Sequence, residues 1–395
     1  MIEKKSEAAV FSLAYAPFEG GAEIAVREVM SRLPDFNFTV FAYKFDRNWL
    51  SKERSGNNIE IIRFGRGRGG GKRYGRIWNK IFYVFRAWQE VERLHKEKRF
   101  HLIWAVMASY GGIAALFFKL NHPRIPMLLT IQEGDSERHM IFGKFGLTGF
   151  WGKRIIRNAN YIQVISSYLR DFVKRRGATA PIEIIPNGVD LELFKTKYTV
   201  GELKAMRANL GLQDEYVIVT TSRLVYKNGI DVLIKAVAEL KNKMLNVKCL
   251  IIGDGPKRKA LQKLVVKCQL SNVVMFLGQI PQRDLPLYLK ISDVFVRPSR
   301  SEGLGSSFLE AMAAGLPVIG TPVGGITDFL KDGQTGLYAK VDDPKDLAEK
   351  IRRLLVNPEL RKELIKNGQA LAQENYSWNR IARLFKNIFD KLINT

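Results

Sequence analysis

Residues 300–325 read RSEGLGSSFLEAMAAGLPVIGTPVGG. An apolar run, VFVRPS at residues 294–299, leads into the stretch, and a second, LPVIGTP at residues 316–322, closes it. Pro298 has no amide hydrogen to give a central sheet ladder, so the first strand ends near Arg297. Gly303 and Gly305 let the backbone turn sharply and approach a ligand with no Cβ in the way. Ser306 or Ser307 then opens a helix. A strand, a glycine turn, a helix and a further strand, with both strands apolar on each face, make one unit of a parallel sheet covered by helices.

The same rhythm extends in both directions. AAVFSLAYA, FTVFAY, LIWAVMA, PMLLTI, YIQVIS and IEIIP alternate with helical patterns in the first half, and YVIVTTS, VKCLIIG and VVMFLG do so in the second. The alternation pauses between IPNGVDLELF at residues 185–194 and the helix near residues 200–210. An α/β chain is expected, with one Rossmann-like, doubly wound domain over residues 1–197 and another over 198–376. Two such domains would face a cleft with the carboxyl ends of their strands. Residues 377–395 form an amphipathic helix, apolar at Trp378, Ile381, Leu384, Phe385, Ile388 and Leu392, expected to pack back on the first domain. A chain of 395 residues, 46% hydrophobic, is long enough for two cores.

Sixty-three Lys and Arg against 39 Asp and Glu give a net charge of +24, which points to an anionic partner. The basic glycine-rich segment RFGRGRGGGKRYGR, residues 63–76, reads as a surface loop; nucleic-acid tails of this kind sit at termini rather than between a strand and a helix. The two cysteines, Cys249 and Cys268, have no neighbouring His or Cys and read as thiols of a reducing cytoplasm. The N-terminal apolar run flows straight into a glycine turn, so it reads as a first buried strand and not as a leader. Residues 102–118 are uncharged, but Ser109, Tyr110 and Gly111-Gly112 break them where a strand would turn into a helix.

Two carboxylates frame the quoted stretch. The start of a helix offers free N–H groups and a positive dipole end, a seat for a phosphate. Glu310 lies about one turn further on, roughly 5 Å along the axis. A diphosphate at the helix start would leave its ribose near Glu310 and its other substituent near Glu302. Ser307-x-x-Glu310 also fits a capping box, which would account for Glu310 structurally but not for Glu302 or the paired glycines.

The stretch resembles the E-x7-E motif of retaining, nucleotide-sugar-dependent glycosyltransferases with two Rossmann-like domains, the GT-B fold (glycosyltransferase family four, glycosyl transferases group one). YAPFEGGAE, IPNGVD, TSRLVYKNGIDVLIKA, IIGDGP and TPVGGITDFLKDGQTGLYAKVDDPKDLAEKI resemble that family's further landmarks in the same order. The resemblance implies that Glu302 lies beside the transferred sugar and that Glu310 binds the ribose hydroxyls. It also implies that Gly303, Leu304, Gly305 and Ser306 contact sugar and phosphate, and that Gly21 meets the donor from the first domain. Arg223 and Lys227 would offset charge on the leaving diphosphate. No Asp-x-Asp pair occurs, so no metal and no cofactor are expected, only a UDP- or GDP-sugar as donor substrate.

The reaction so implied moves a sugar to a hydroxyl of a glycan or lipid-linked acceptor, in a same-face displacement without a protein nucleophile. Closure of the two domains would exclude water. Two departures from the family's pattern stand out. Asn228 occupies the place before the glycine where the family carries its lysine, with Lys227 one earlier. Gln132 and Glu133 follow LLTI where many members have a histidine, which leaves Glu133, Asp135 and His139 as acceptor-binding candidates or helix caps. Basic and aromatic residues crowd segments 73–99 and 142–157, which suits either an anionic membrane surface at the inner face of the plasma membrane or a solvated helix face with its rings in the core. Other readings are a sugar phosphorylase, which would need a pyridoxal lysine, a nucleotide-sugar epimerase, and a non-enzymatic nucleic-acid-binding protein.

Overall fold

The computed structural model describes residues 5–17, 20–65, 67, 77–134, 147–242 and 246–394. Asp135, His139 and most of the glycine-arginine segment lie outside the described residues. The chain forms two compact units, Met1–Asn187 together with Trp378–Thr395, and Gly188–Ser377.

The first unit is built on eight strands, β1 (Ser6–Phe11), β2 (Phe36–Tyr43), β3 (Lys52–Ser55), β4 (Ile59–Phe64), β5 (Leu102–Val106), β6 (Met127–Ile131), β7 (Tyr161–Val164) and β8 (Ile182–Ile184), in the order β3-β4-β2-β1-β5-β6-β7-β8. All neighbours are parallel except β3, which runs antiparallel to β4 at the edge. The apolar run at 102–118 divides as expected into β5 and the helix Tyr110–Asn121. Among the described residues no helix is long and apolar enough to cross a membrane.

The closing helix, Trp378–Ile393, buries Trp378, Ile381, Phe385, Ile388 and Phe389 in one cluster with Phe36, Phe38 and Trp104 of β2 and β5. Its Phe385 and Phe389 rings each lie 5.3 Å from Trp104, so the last residues of the chain complete the first core. Elsewhere on this unit the aromatics of helix Ile77–Lys98 divide. Tyr83 is buried and donates to the Phe41 carbonyl at 2.9 Å, whereas Phe82 and Phe85 are exposed. Leu120 and, on helix Leu147–Asn158, Phe150 are exposed as well. Arg86 lies 5.8 Å from the Phe82 ring and Arg154 5.5 Å from the Phe150 ring. Phe117 links the three helices through Phe85 and Trp151, at 6.3 and 5.7 Å.

The second unit carries β9 (Tyr216–Thr221), β10 (Val247–Ile252), β11 (Val274–Gly278), β12 (Val294–Arg297), β13 (Val318–Gly320) and β14 (Leu337–Tyr338), all parallel, in the order β11-β10-β9-β12-β13-β14. The order reverses between β9 and β12. Doubly wound sheets hold their ligands beside the carboxyl ends of strands at such a reversal. Both glutamates of the quoted stretch follow β12, and Arg223 and Lys227 follow β9.

Candidate functional site

Two loops meet at that switch point. The loop after β9 runs through Arg223 into the short 3-10 turn Tyr226–Asn228. The loop after β12 carries Arg300 to Gly305. The Arg300 amide donates to the Lys227 carbonyl at 2.6 Å, joining them through the backbone. The Arg300 guanidinium then spans Asp231 in a bidentate pair at 2.9 and 2.7 Å, Asp342 at 2.7 Å and the Tyr226 carbonyl at 2.7 Å. It also lies 4.1 Å from the Tyr226 ring. Gly229 has φ +67°, and a Cβ there would fall 1.8 Å from the Pro298 carbonyl oxygen, so only glycine allows this approach.

Asn228 accounts for the first departure from the expected pattern. It is buried, and its amide donates to the Ser222 hydroxyl at 2.8 Å and the Arg223 carbonyl at 2.7 Å. The residue at the family's lysine position therefore shapes the turn from inside. Arg223 is exposed and Lys227 half-buried on the same loop.

Glu302 and Arg297 are each only 9% exposed, and a buried charge must be paired. The Arg297 guanidinium forms an ion pair with one Glu302 oxygen, and the other oxygen accepts from the Gly303 amide at 3.1 Å. The second glycine turn of the quoted stretch presses on the same residue. The Gly325 amide donates to the Glu302 carbonyl at 3.2 Å. Gly324 has φ +54°, and a Cβ there would lie 1.9 Å from that carbonyl oxygen.

The helix begins at Ser306, with Gly305 as its N-cap and no side-chain cap. The capping-box reading of Ser307 and Glu310 is thereby corrected. Ser307 lies inside the first turn, and its hydroxyl accepts from Arg297 at 2.6 Å. Glu310, one turn on, accepts from the Gln282 amide at 3.2 Å. Its side chain keeps some exposed surface, yet protein crowds the carboxyl. That desolvation pushes its pKa up to about 7, against the opposing influence of Gln282 and of the Arg297 charge. Arg297 is itself pulled down to about 10 by burial. Gly303, Leu304 and Gly305 are buried and Ser306 half-buried.

Arg297 was not among the residues singled out from sequence. The available signal was a charged residue closing a strand whose other three positions are apolar. In the first unit, Gly21 opens helix Gly21–Ser31 and is exposed, and among the described residues nothing beyond its chain neighbours and its own helix backbone lies within 4 Å of where its Cβ would be. Glu23 follows in the first turn, and burial pushes its carboxyl up to about 7. Glu133 is half-buried after β6 and accepts from the Gln132 amide at 3.2 Å, while Gln132 accepts from Asn187 at 3.1 Å. Among the described residues no group of three or more His, Cys, Asp or Glu could hold a metal ion.

Comparison with known proteins adds three kinds of likeness. Residues 204–371 match the family described as glycosyl transferases group 1, and residues 19–193 match glycosyltransferase family 4. An uncharacterised glycosyltransferase of Methanocaldococcus jannaschii is 28% identical over 96% of both chains. A GDP-mannose-dependent alpha-(1-6)-phosphatidylinositol monomannoside mannosyltransferase of Mycolicibacterium smegmatis is 33% identical over 59% of this chain and 63% of its own length. Among solved structures, sucrose-phosphate synthase from Thermosynechococcus elongatus superposes with a TM-score of 0.83 at 24% identity, covering 99% of this chain and 100% of that one.

Proposed function

As the chain belongs to the glycosyl transferases group 1 and glycosyltransferase family 4 and has the GT-B fold, we propose that it transfers a sugar from a nucleotide sugar to a hydroxyl with retention at the anomeric carbon. The observation that carries this reading is an uncapped helix start flanked by two carboxylates, Glu302 and Glu310, beside the loop of Arg223 and Lys227.

The helix start and the glycine turn receive the diphosphate. Glu310 accepts from the ribose hydroxyls, and Glu302 receives hydroxyls of the sugar. As the bond to the anomeric carbon breaks, negative charge grows on the leaving diphosphate. Arg223 and Lys227 offset it without a metal, each such donor contributing on the order of 3–4 kcal/mol to the transition state. The leaving phosphate takes the acceptor's proton on the face it departs from, which returns the original configuration. In the first unit, the open turn at Gly21 is assigned to the donor and Glu133 to the acceptor.

The donor is a UDP- or GDP-sugar, and the acceptor a glycan or lipid-linked hydroxyl. A mannosyltransferase with a phosphatidylinositol-based acceptor in its name, 33% identical over the matched segment, supports that acceptor class. The exposed rings and arginines of the first unit suit a peripheral station on an anionic cytoplasmic membrane face.

Calorimetric titration with UDP, GDP and ADP tests the donor site. One of the three is expected to bind saturably to the parent protein and to lose most of its affinity in Glu310→Ala. Binding unchanged by that substitution would remove Glu310 from the site, and binding of none would overturn the reading.

A further inference from the structure

The geometry points to Arg297 as a positioning residue, the group that aims the Glu302 carboxylate at the donor sugar; this rests on the donor site just proposed. Arg297 closes β12, and its side chain reaches three separate pieces of the site. It pairs with Glu302 in the loop, donates to the Ser307 hydroxyl in the helix at 2.6 Å, and donates to the Ser299 hydroxyl at the loop entrance at 3.3 Å. Its guanidinium carbon lies 5.8 Å from the Phe308 ring, which closes one side.

A planar fork of donors held at three points has one orientation, and it imposes one on its carboxylate partner. The other Glu302 oxygen is already fixed by the Gly303 amide, so the carboxylate cannot swing. The oxygen paired with Arg297 is fully enclosed, and each carboxylate oxygen has two acceptor positions, so the oxygen beside the Gly303 amide is the one left for sugar hydroxyls. Held this way, Glu302 is ready to receive them before the donor arrives. The bond from Arg297 to Ser307 also ties the sugar-facing carboxylate to the helix turn that receives the diphosphate. A bland alternative exists, in which Arg297 only neutralises a buried charge and holds the loop. The two differ in what the loss of Arg297 does to the sugar as against the nucleotide.

Calorimetry therefore compares the parent, Arg297→Met and Arg297→Lys. Each is titrated with UDP and UDP-glucose, and with GDP and GDP-mannose, at about pH 9, where Glu310 is ionised throughout. Differential scanning calorimetry follows the stability of each protein. For whichever pair the parent binds, Arg297→Met is expected to weaken the nucleotide sugar on the order of tenfold while the bare diphosphate stays within about twofold. Arg297→Lys keeps a point charge without the fork and should recover part of the sugar-specific loss. Should Arg297→Met fail to fold, the lysine variant against the parent gives the same sugar-to-nucleotide ratio with a smaller expected shift. Equal losses for nucleotide and nucleotide sugar would overturn the assignment, as would no loss for either. Absence of all nucleotide binding in the parent would instead overturn the donor site, and this assignment with it.

Discussion

The Glu310 carboxyl starts from a pKa of about 7 because burial outweighs Gln282 and the Arg297 charge. In the proposed role it must be ionised to accept from ribose hydroxyls without donating, so nucleotide binding would be linked to loss of its proton. The bound state favours the charged form, and affinity therefore rises with pH. Below pH 7 the rise should approach about tenfold per unit, flattening above about pH 8. Calorimetry in two buffers of different ionisation enthalpy would also register a released proton near pH 6.5. Glu310→Gln should give weaker binding with little pH dependence, and a flat profile in the parent would remove the linkage. The two glutamates were singled out because a capping role would account for Glu310 but not for Glu302 or the paired glycines. Arg297 was not, because a charged residue at the end of an apolar run reads as the point where a strand meets solvent. Only the fold turns that end inward, under Phe308 and against Ser307.

Strands and turns show where pattern reading stops. β4, IEIIRF, carries two charges, Glu60 and Arg63, within an otherwise apolar run. Both charges are accounted for by partners distant in sequence. Glu60 is held by Lys52 at 2.9 Å and Lys98 at 2.6 Å, and buried Arg63 donates to the Leu50 and Ala16 carbonyls at 2.9 and 2.5 Å. The edge strand β3, KERS, has no apolar residue to announce it. Helix starts are similarly local decisions. Gly305 takes the N-cap place, so the serine and glutamate spacing that suits a cap falls two residues too late. The turn at Gly324 can be tested by substitution. Gly333 has φ +73° and nothing within 4 Å of a Cβ, whereas Gly324 has φ +54° and a carbonyl 1.9 Å away. Gly333→Ala should lose only the left-handed backbone penalty, about 1–2 kcal/mol. Gly324→Ala should lose clearly more, with each kcal/mol lowering the melting midpoint by about 2–4 °C for a unit of this size. Equal losses by thermal denaturation would mean that the turn yields and does not fix Glu302.

The doubled rhythm of strands and helices made the architecture legible, because buried parallel strands need apolar residues on both faces and thus write themselves plainly. The use of the +24 charge was not legible, since sequence cannot say which rings lie inside. The structure divides them, leaving the Phe82, Phe85 and Phe150 rings outside together with the Leu120 side chain, and Arg86 and Arg154 alongside. Co-sedimentation with liposomes is expected to show binding that needs anionic lipid and weakens with salt. Phe82→Ser with Phe150→Ser should reduce it by about a hundredfold or more without affecting nucleotide binding, at roughly 1.5–3 kcal/mol for each ring withdrawn from the interface. No pelleting with anionic vesicles would dismiss the membrane station. The closing helix Trp378–Ile393 has a consequence for synthesis. The first core lacks Trp378, Phe385 and Phe389 until residues 378–389 leave the ribosome. A nascent chain can therefore finish the later unit, Gly188–Ser377, before the earlier one. Until then Trp104, Phe36 and Phe38 lack the helix that covers them, and exposed apolar surface of this kind is what makes partly folded chains prone to aggregate.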